Sequence, residues 1–419
     1  HQRLVLVPCV EIIHHLGSRQ RVADDSAPWI FRECQIARKV NPHGDHFSQG
    51  RWIAWIWRLN HLMCPELKTC RLVITQRSLT LSWITCLVLA FLNTAHCQLP
   101  FLKKQKFDTR DTLDVGTEER TDARDCLAGL AWPIGKFVVQ CEVAKHLQYD
   151  VLVRFSSPIS SQDVVNDRVA VEWYMARDEH DLPIHAPAVV VVHESGRAMT
   201  VGRIFARGFR SKGLHAFMIQ LPHYGERGEG RKQPGADQLF SVIRQAVADV
   251  RRARDAVAVL PYVDTNHIAL QGTSLGGMVA ATAASLDQGF DSVFLLLAGG
   301  QLHDMIRHGE KDVAEIRQQL KAAGLEGEQL RSLVQKVEPT RIAHRWNPQQ
   351  TWLFSARYDR VVPMKNALAL ANAGRLPEEH HIQLSANHYT GIIYLPYILQ
   401  FVNQQITALV EQKKTPLVP

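Results

Sequence analysis

Ser274 stands in Gly272-Thr273-Ser274-Leu275-Gly276, a G-x-S-x-G run between a short apolar stretch (His267–Gln271) and an alanine-rich one. A serine hydroxyl is a weak nucleophile at neutral pH and needs a base within hydrogen-bond reach. It must also stand clear of the backbone. Glycines two residues to either side let a strand and a helix close around a sharp turn that presents it. When such a serine turn is used for acyl transfer, the acid and then the histidine follow in chain order. Asp359 follows the apolar stretch Trp352–Ser355, and His388 follows His381–Leu384, so both come after strand-like segments in the required order. Asp304 is the competing acid; His380 and His381 compete less well with His388, because they begin a strand-like segment instead of ending one. The developing oxyanion needs backbone donors. Leu275, just after the serine, supplies one, and Ser195, in the loop after Ala188–Val192, is expected to supply the other. His193 and Glu194 in that loop are expected to border the pocket.

These groups need elements to carry them. Val151–Phe155, Val169–Tyr174, Ala188–Val192, Leu214–Gln220, His267–Gln271, Ser292–Leu297, Thr351–Ser355 and His381–Leu384 read as strands. Gln238–Val259, Met278–Leu286, Asn366–Ala373 and Gly391–Val410 read as helices. Their alternation predicts an α/β domain over residues 145–412, a mostly parallel twisted sheet with helices on both faces. Residues 301–345 interrupt it as a charged, helix-prone insertion before the acid-bearing strand, placed to act as a lid or side wall.

The net charge of +7 would suggest a polyanion partner, but its distribution does not. Residues 1–97 hold 11 Lys and Arg against 6 Asp and Glu, while the rest hold 37 against 35. No nucleic-acid partner is expected. Six of the eight cysteines precede residue 98, and no pair has CxxC spacing.

The first methionine is Met63. A basic stretch, an apolar run from Leu81 to Leu92 and the close Ala95-His96-Cys97 read as a signal peptide over residues 63–97, cut before Gln98. That reading predicts export, to the periplasm or beyond. An uncleaved anchor, which alone would make the membrane a partner, and a buried helix are the alternatives. Residues 1–62 read either as upstream sequence or as an N-terminal extension, and residues 98–144 as a linker and leading segment. Export would allow Cys126 and Cys141 to bridge, with two free buried thiols as the alternative.

Taken together, His193-Glu194-Ser195-Gly196, Leu221-Pro222-His223-Tyr224-Gly225-Glu226-Arg227, Gly272–Gly277, Asp359–Pro363 and Asn387-His388 resemble the α/β-hydrolase fold. The nearest resemblance is to its dienelactone-hydrolase, acetyl-esterase and prolyl-oligopeptidase-like part. The resemblance covers about residues 145–410. It implies a serine hydrolase without cofactor that cleaves a small-molecule ester or lactone through a Ser274–His388–Asp359 triad. Glu194 stands where that family usually has a glycine. A peptidase or acyltransferase on the same triad, or a binding protein that keeps the fold without turnover, are the alternatives.

Overall fold

The computed structural model describes residues 104–144, 148–228 and 234–414. The expected signal peptide and everything before it lie outside these described residues.

Ten strands build one sheet. They are β1 (Gln105–Arg110), β2 (Lys136–Val143), β3 (Val151–Ser156), β4 (Arg168–Tyr174), β5 (Ala186–Val192), β6 (His215–Gln220), β7 (Val263–Thr273), β8 (Ser292–Leu296), β9 (Thr351–Ala356) and β10 (His381–Leu384). Across the sheet they run β1-β2-β3-β4-β6-β5-β7-β8-β9-β10. The pairs from β1 to β4, and β4 with β6, are antiparallel; from β6 through β5 to β10 every pair is parallel.

A strand buried on both faces should read as an unbroken apolar run. β5 does, and its side chains divide by the period of two: Val190 and Val192 join one core, Val189 and Val191 the other. The first core packs against α3 (Leu239–Ala258), α4 (Leu275–Ala284) and α9 (Met364–Ala373). The second packs against α2 (Thr200–Arg210) and α10 (Leu395–Lys414). Helices therefore cover both faces, as expected.

α2 is an element that periodicity alone did not flag. It buries Gly202, Phe205, Ala206 and Phe209, one face of a helix. Its two glycines disguise it. A Cβ on Gly202 would come within 2.6 Å of His193 Cβ, so close approach to the sheet demands glycine there.

The segment over residues 98–144 is more than a linker. Its described part contains β1, α1 (Thr121–Leu130) and β2. β1 carries one large apolar residue, Phe107, and lies at the sheet edge, so it left no alternating signal. Polar ties fix it instead. Arg252 in α3 donates to both oxygens of Asp111 at 2.8 and 2.6 Å, and Thr112 donates to Asp255. Cys126 and Cys141 are both free and buried, not bridged. The Cys126 thiol faces the carbonyls of Lys336 and Glu338, and Cys141 faces the core. Burial pushes both thiols up to about 12.

The insertion folds as α5 (Leu302–His308), α6 (Asp312–Ala322), α7 (Gly327–Gln335) and α8 (Pro339–Ile342). One buried carboxylate joins its two ends. Glu338 accepts from the N–H of Gln301 at 2.9 Å and of Leu302 at 2.6 Å, and from Thr340 N–H at 3.0 Å. Among the described residues no helix is long and apolar enough to cross a membrane.

Candidate active site

β7 ends at Thr273 and α4 begins at Leu275, so Ser274 is the whole turn between them. Its backbone sits at φ 56° and ψ −116°. A non-glycine residue there costs about 1–3 kcal/mol, which the surrounding packing must offset. The flanking glycines show how. A Cβ on Gly272 would lie 2.3 Å from Gly276 O, and one on Gly276 would lie 2.3 Å from Val192 O. Strand and helix approach closely enough to force the turn only because neither residue has a side chain. Ser274 N–H donates to Leu296 O, which pins the turn to β8.

Ser274 Oγ lies 2.9 Å from His388 Nε2, and His388 Nδ1 lies 2.7 Å from Asp359 Oδ2. A carboxylate only accepts, so the proton sits on Nδ1 and leaves the Nε2 lone pair facing the serine hydroxyl. Asp359 is 7% exposed, and its other oxygen accepts from Val361 N–H at 2.8 Å and Val362 N–H at 2.9 Å. Those donors fix the carboxylate and complement its charge. The structure thus brings Ser274, His388 and Asp359 into one hydrogen-bonded line.

The competing residues stand elsewhere. Asp304 pairs with Lys365 at 2.7 Å and with His308 at 3.0 Å, and the Lys365 ammonium holds its carboxyl below the usual range. His380 stacks on Trp352, and His381 faces Ser355.

The loop after β5 is the expected source of the second oxyanion donor. Ser195 is exposed and, like Ser274, borders two cavities. Its carbonyl accepts from Tyr224 Oη at 2.9 Å, which steadies the loop. Leu275 opens α4, and the first N–H groups of a helix have no partner within it. Glu194 borders one cavity, but its carboxylate is engaged: it accepts from Val201 and Gly202 N–H at 3.1 Å each, at the start of α2. A negative group suits that end of a helix. His193 borders neither cavity. Its ring is fully buried, faces Glu194 O and accepts from Leu221 N–H, and burial pushes it down to about 4.

Leu221–Arg227 turns beneath this loop. Arg227 is buried, donating to Asn166 O, Gln220 O and, at 2.7 Å, Asp249. The motif's arginine is therefore an anchor for the turn.

Two cavities meet at Ser274. The larger, of 390 Å³, lies toward α2 and α10; the smaller, of 230 Å³, lies between α3, α4 and the insertion. Sequence reasoning did not locate them, because their walls come from α2, α5, α6 and residues 389–398, which meet only in the fold. Tyr389, beside the candidate base, donates to Asp312 of α6 at 3.1 Å, with Lys311 4.4 Å over its ring. Among the described residues no group of three or more His, Cys, Asp or Glu is arranged to hold a metal ion.

No protein-family model matches the chain. Proteins described as uncharacterized, from two strains of Mycobacterium tuberculosis, are 34% identical to it over 138 residues, 30% of this chain and 33% of theirs. The chain thus matches about a third of the length of these curated relatives. Among solved structures, an acetyl xylan esterase from Paenibacillus sp. R4 is similar at a TM-score of 0.50 and 17% identity, over 69% of this chain and 96% of that one. Another, acetyl xylan esterase 1 from Thermoanaerobacterium sp. JW/SL YS485, gives 0.48 at 13% identity, over 69% and 96%. The first likeness and the sheet order together establish the α/β-hydrolase fold.

Proposed function

We propose that this protein, an α/β-hydrolase-fold chain, is a serine hydrolase that cleaves a carboxylic ester or lactone through an acyl-enzyme. One observation carries the reading: an unbroken line from Ser274 Oγ through His388 to Asp359 ends on a serine that is 8% exposed and borders two cavities.

Ser274 Oγ attacks the carbonyl carbon as His388 Nε2 takes its proton. The oxyanion is held by the N–H groups of Leu275 and Ser195. Asp359 keeps the ring in the tautomer that can accept and stabilises the imidazolium. The imidazolium returns its proton to the leaving alkoxide, and water then repeats the sequence to free the acid.

The test is hydrolysis of a p-nitrophenyl ester series by the full chain beside Ser274→Ala, with fluorophosphonate labelling of both. Turnover and labelling that vanish together in the variant are expected. A folded wild-type protein that neither hydrolyses nor labels would overturn the reading.

A further inference from the structure

The two cavities divide at Ser274, and the chemistry assigns each an occupant. An ester places an acyl chain on one side of the attacked carbon and an alkoxy group on the other. The imidazolium must reach the leaving oxygen, so the alcohol lies on the side that His388 borders. His388 borders the larger cavity and not the smaller; Leu275, the proposed oxyanion donor, borders the smaller and not the larger.

The linings decide the chemical class. Val201, Ile204 and Phe205 of α2 face Ile392, Leu395 and Ile398 across the larger cavity. Met278 of α4, Leu302, Met305 and Ile306 of α5, and Val313 and Ile316 of α6 line the smaller. Among the described residues neither has a lysine or arginine in its wall, and the acidic side chains bordering them are Glu194 and Asp312. Apolar walls gain from each buried methylene, while the Asp312 carboxylate, which borders both cavities, repels an anionic substrate.

We propose, resting on the hydrolase reading above, that the substrate is a neutral ester with an apolar group at each end. Its acyl chain enters the 230 Å³ cavity under the helical insertion, and its apolar alcohol enters the 390 Å³ cavity between α2 and α10. In the first half-reaction the Ser274 Oγ–acyl bond forms, the acyl C–O bond to the alcohol breaks, and the serine proton leaves on that alcohol. In the second, water supplies the hydroxyl of the free acid and the proton that restores Ser274. The acid is released as an anion beside Asp312, which opposes its rebinding.

The experiment crosses two neutral ester series on the full-length protein. One lengthens the acid at constant alcohol, and the other lengthens the alcohol at constant acid. Ile316→Trp, from the insertion, narrows the smaller cavity, and Ile204→Trp, from α2, narrows the larger; both side chains are half-buried. The expected result is a loss of about tenfold or more in kcat/KM for long acids over short ones in Ile316→Trp, with the alcohol ranking kept. Ile204→Trp gives the mirror image. Deacylation of a common acyl-enzyme slows in Ile316→Trp and stays at the wild-type rate in Ile204→Trp, because the alcohol has already left. Ile316→Ala and Ile204→Ala, which enlarge the same cavities, shift each preference toward longer chains and serve if a tryptophan variant fails to fold.

If the two effects change places, the assignment of the arms is overturned. Loss of long-chain discrimination in wild type and in all four variants, with Ser274 still labelled by a fluorophosphonate, overturns the two-armed substrate alone. A wild-type protein that neither labels nor hydrolyses any ester overturns the hydrolase reading and this inference with it.

Discussion

Ser274 and His388 stand 2.9 Å apart; Ser355 and His381 stand 2.7 Å apart. On distance alone the second pair is the better one. Its surroundings differ in every respect that matters for chemistry. Ser355 lies within β9, one residue before its end, is 2% exposed and borders neither cavity at the first pair. Among the described residues no carboxylate pairs with His381, whereas Asp359 holds the far nitrogen of His388. Ser274 has φ 56°, and Ser355 is absent from the residues with positive φ. A serine–histidine contact inside a sheet is one way to satisfy two polar groups. The same contact becomes a candidate catalyst when the turn is strained, the ring is oriented and a substrate can arrive.

The largest effect should separate the two serines outright. Ser274→Ala is expected to lower kcat for an ester by on the order of 10³–10⁶, and Ser355→Ala to leave it within about twofold, both read in one steady-state assay. Next comes the third group. Asp359→Asn should cost on the order of 10⁴ in kcat, because the amide favours the wrong tautomer of His388, with KM nearly unchanged.

A pH series sharpens the contrast between an oriented histidine and buried ones. Burial pushes His193 and His215 each down to about 4. His215 Nδ1 accepts from Trp173 Nε1 and from Ala176 N–H, a pattern only the neutral ring can complete. The unfolded chain therefore binds protons first as pH falls. Stability is fully present above about 6.5 and is lost as pH falls toward about 4, on the order of 3 kcal/mol for each ring. Urea midpoints measured across that window should fall, and His215→Gln should flatten the slope. An unchanged slope in that variant would mean that other groups carry the acid sensitivity.

The second serine pair has its own, smaller signature. Removing the Ser355 hydroxyl leaves His381 without its partner, so Ser355→Ala should lower stability by about 1–3 kcal/mol, read in the urea midpoint. Smallest of all, Glu194→Gln removes a charge at the start of α2 while keeping an acceptor. It should cost about 0.3–1 kcal/mol, read as a small drop in Tm.

The order serine, acid, histidine was legible because each residue follows a β-forming stretch, and the glycines mark the turn that strains Ser274. Asp304 could be set aside only in three dimensions, where Lys365 claims it. The parallel strands were legible as apolar runs, since both of their faces are covered. β1 was not, because it carries one large apolar residue, and the ion pair just past its end, Asp111 to Arg252, spans 141 positions in the chain. β2 was available to a closer reading, since Phe137, Val139 and Cys141 alternate inward. α2 was hidden by glycines that serve contact with His193 and Leu399 instead of flexibility. Glu194 shows the limit of comparing motifs position by position. Where a glycine is usual, its side chain is taken up by the next helix.

The carboxylate of Glu338 holds residues 301 and 302 against its own end of the insertion, so the three helices α5, α6 and α7 leave and rejoin the domain at a single point. A chain segment closed at its base is nearly independent in length of what it is attached to. Doubling such a loop costs only about 0.6 kcal/mol in closure entropy. Changes of length in the turns between these helices are thus cheap in closure entropy, whereas Leu302, Met305 and Val313, which join the first core, are held by packing.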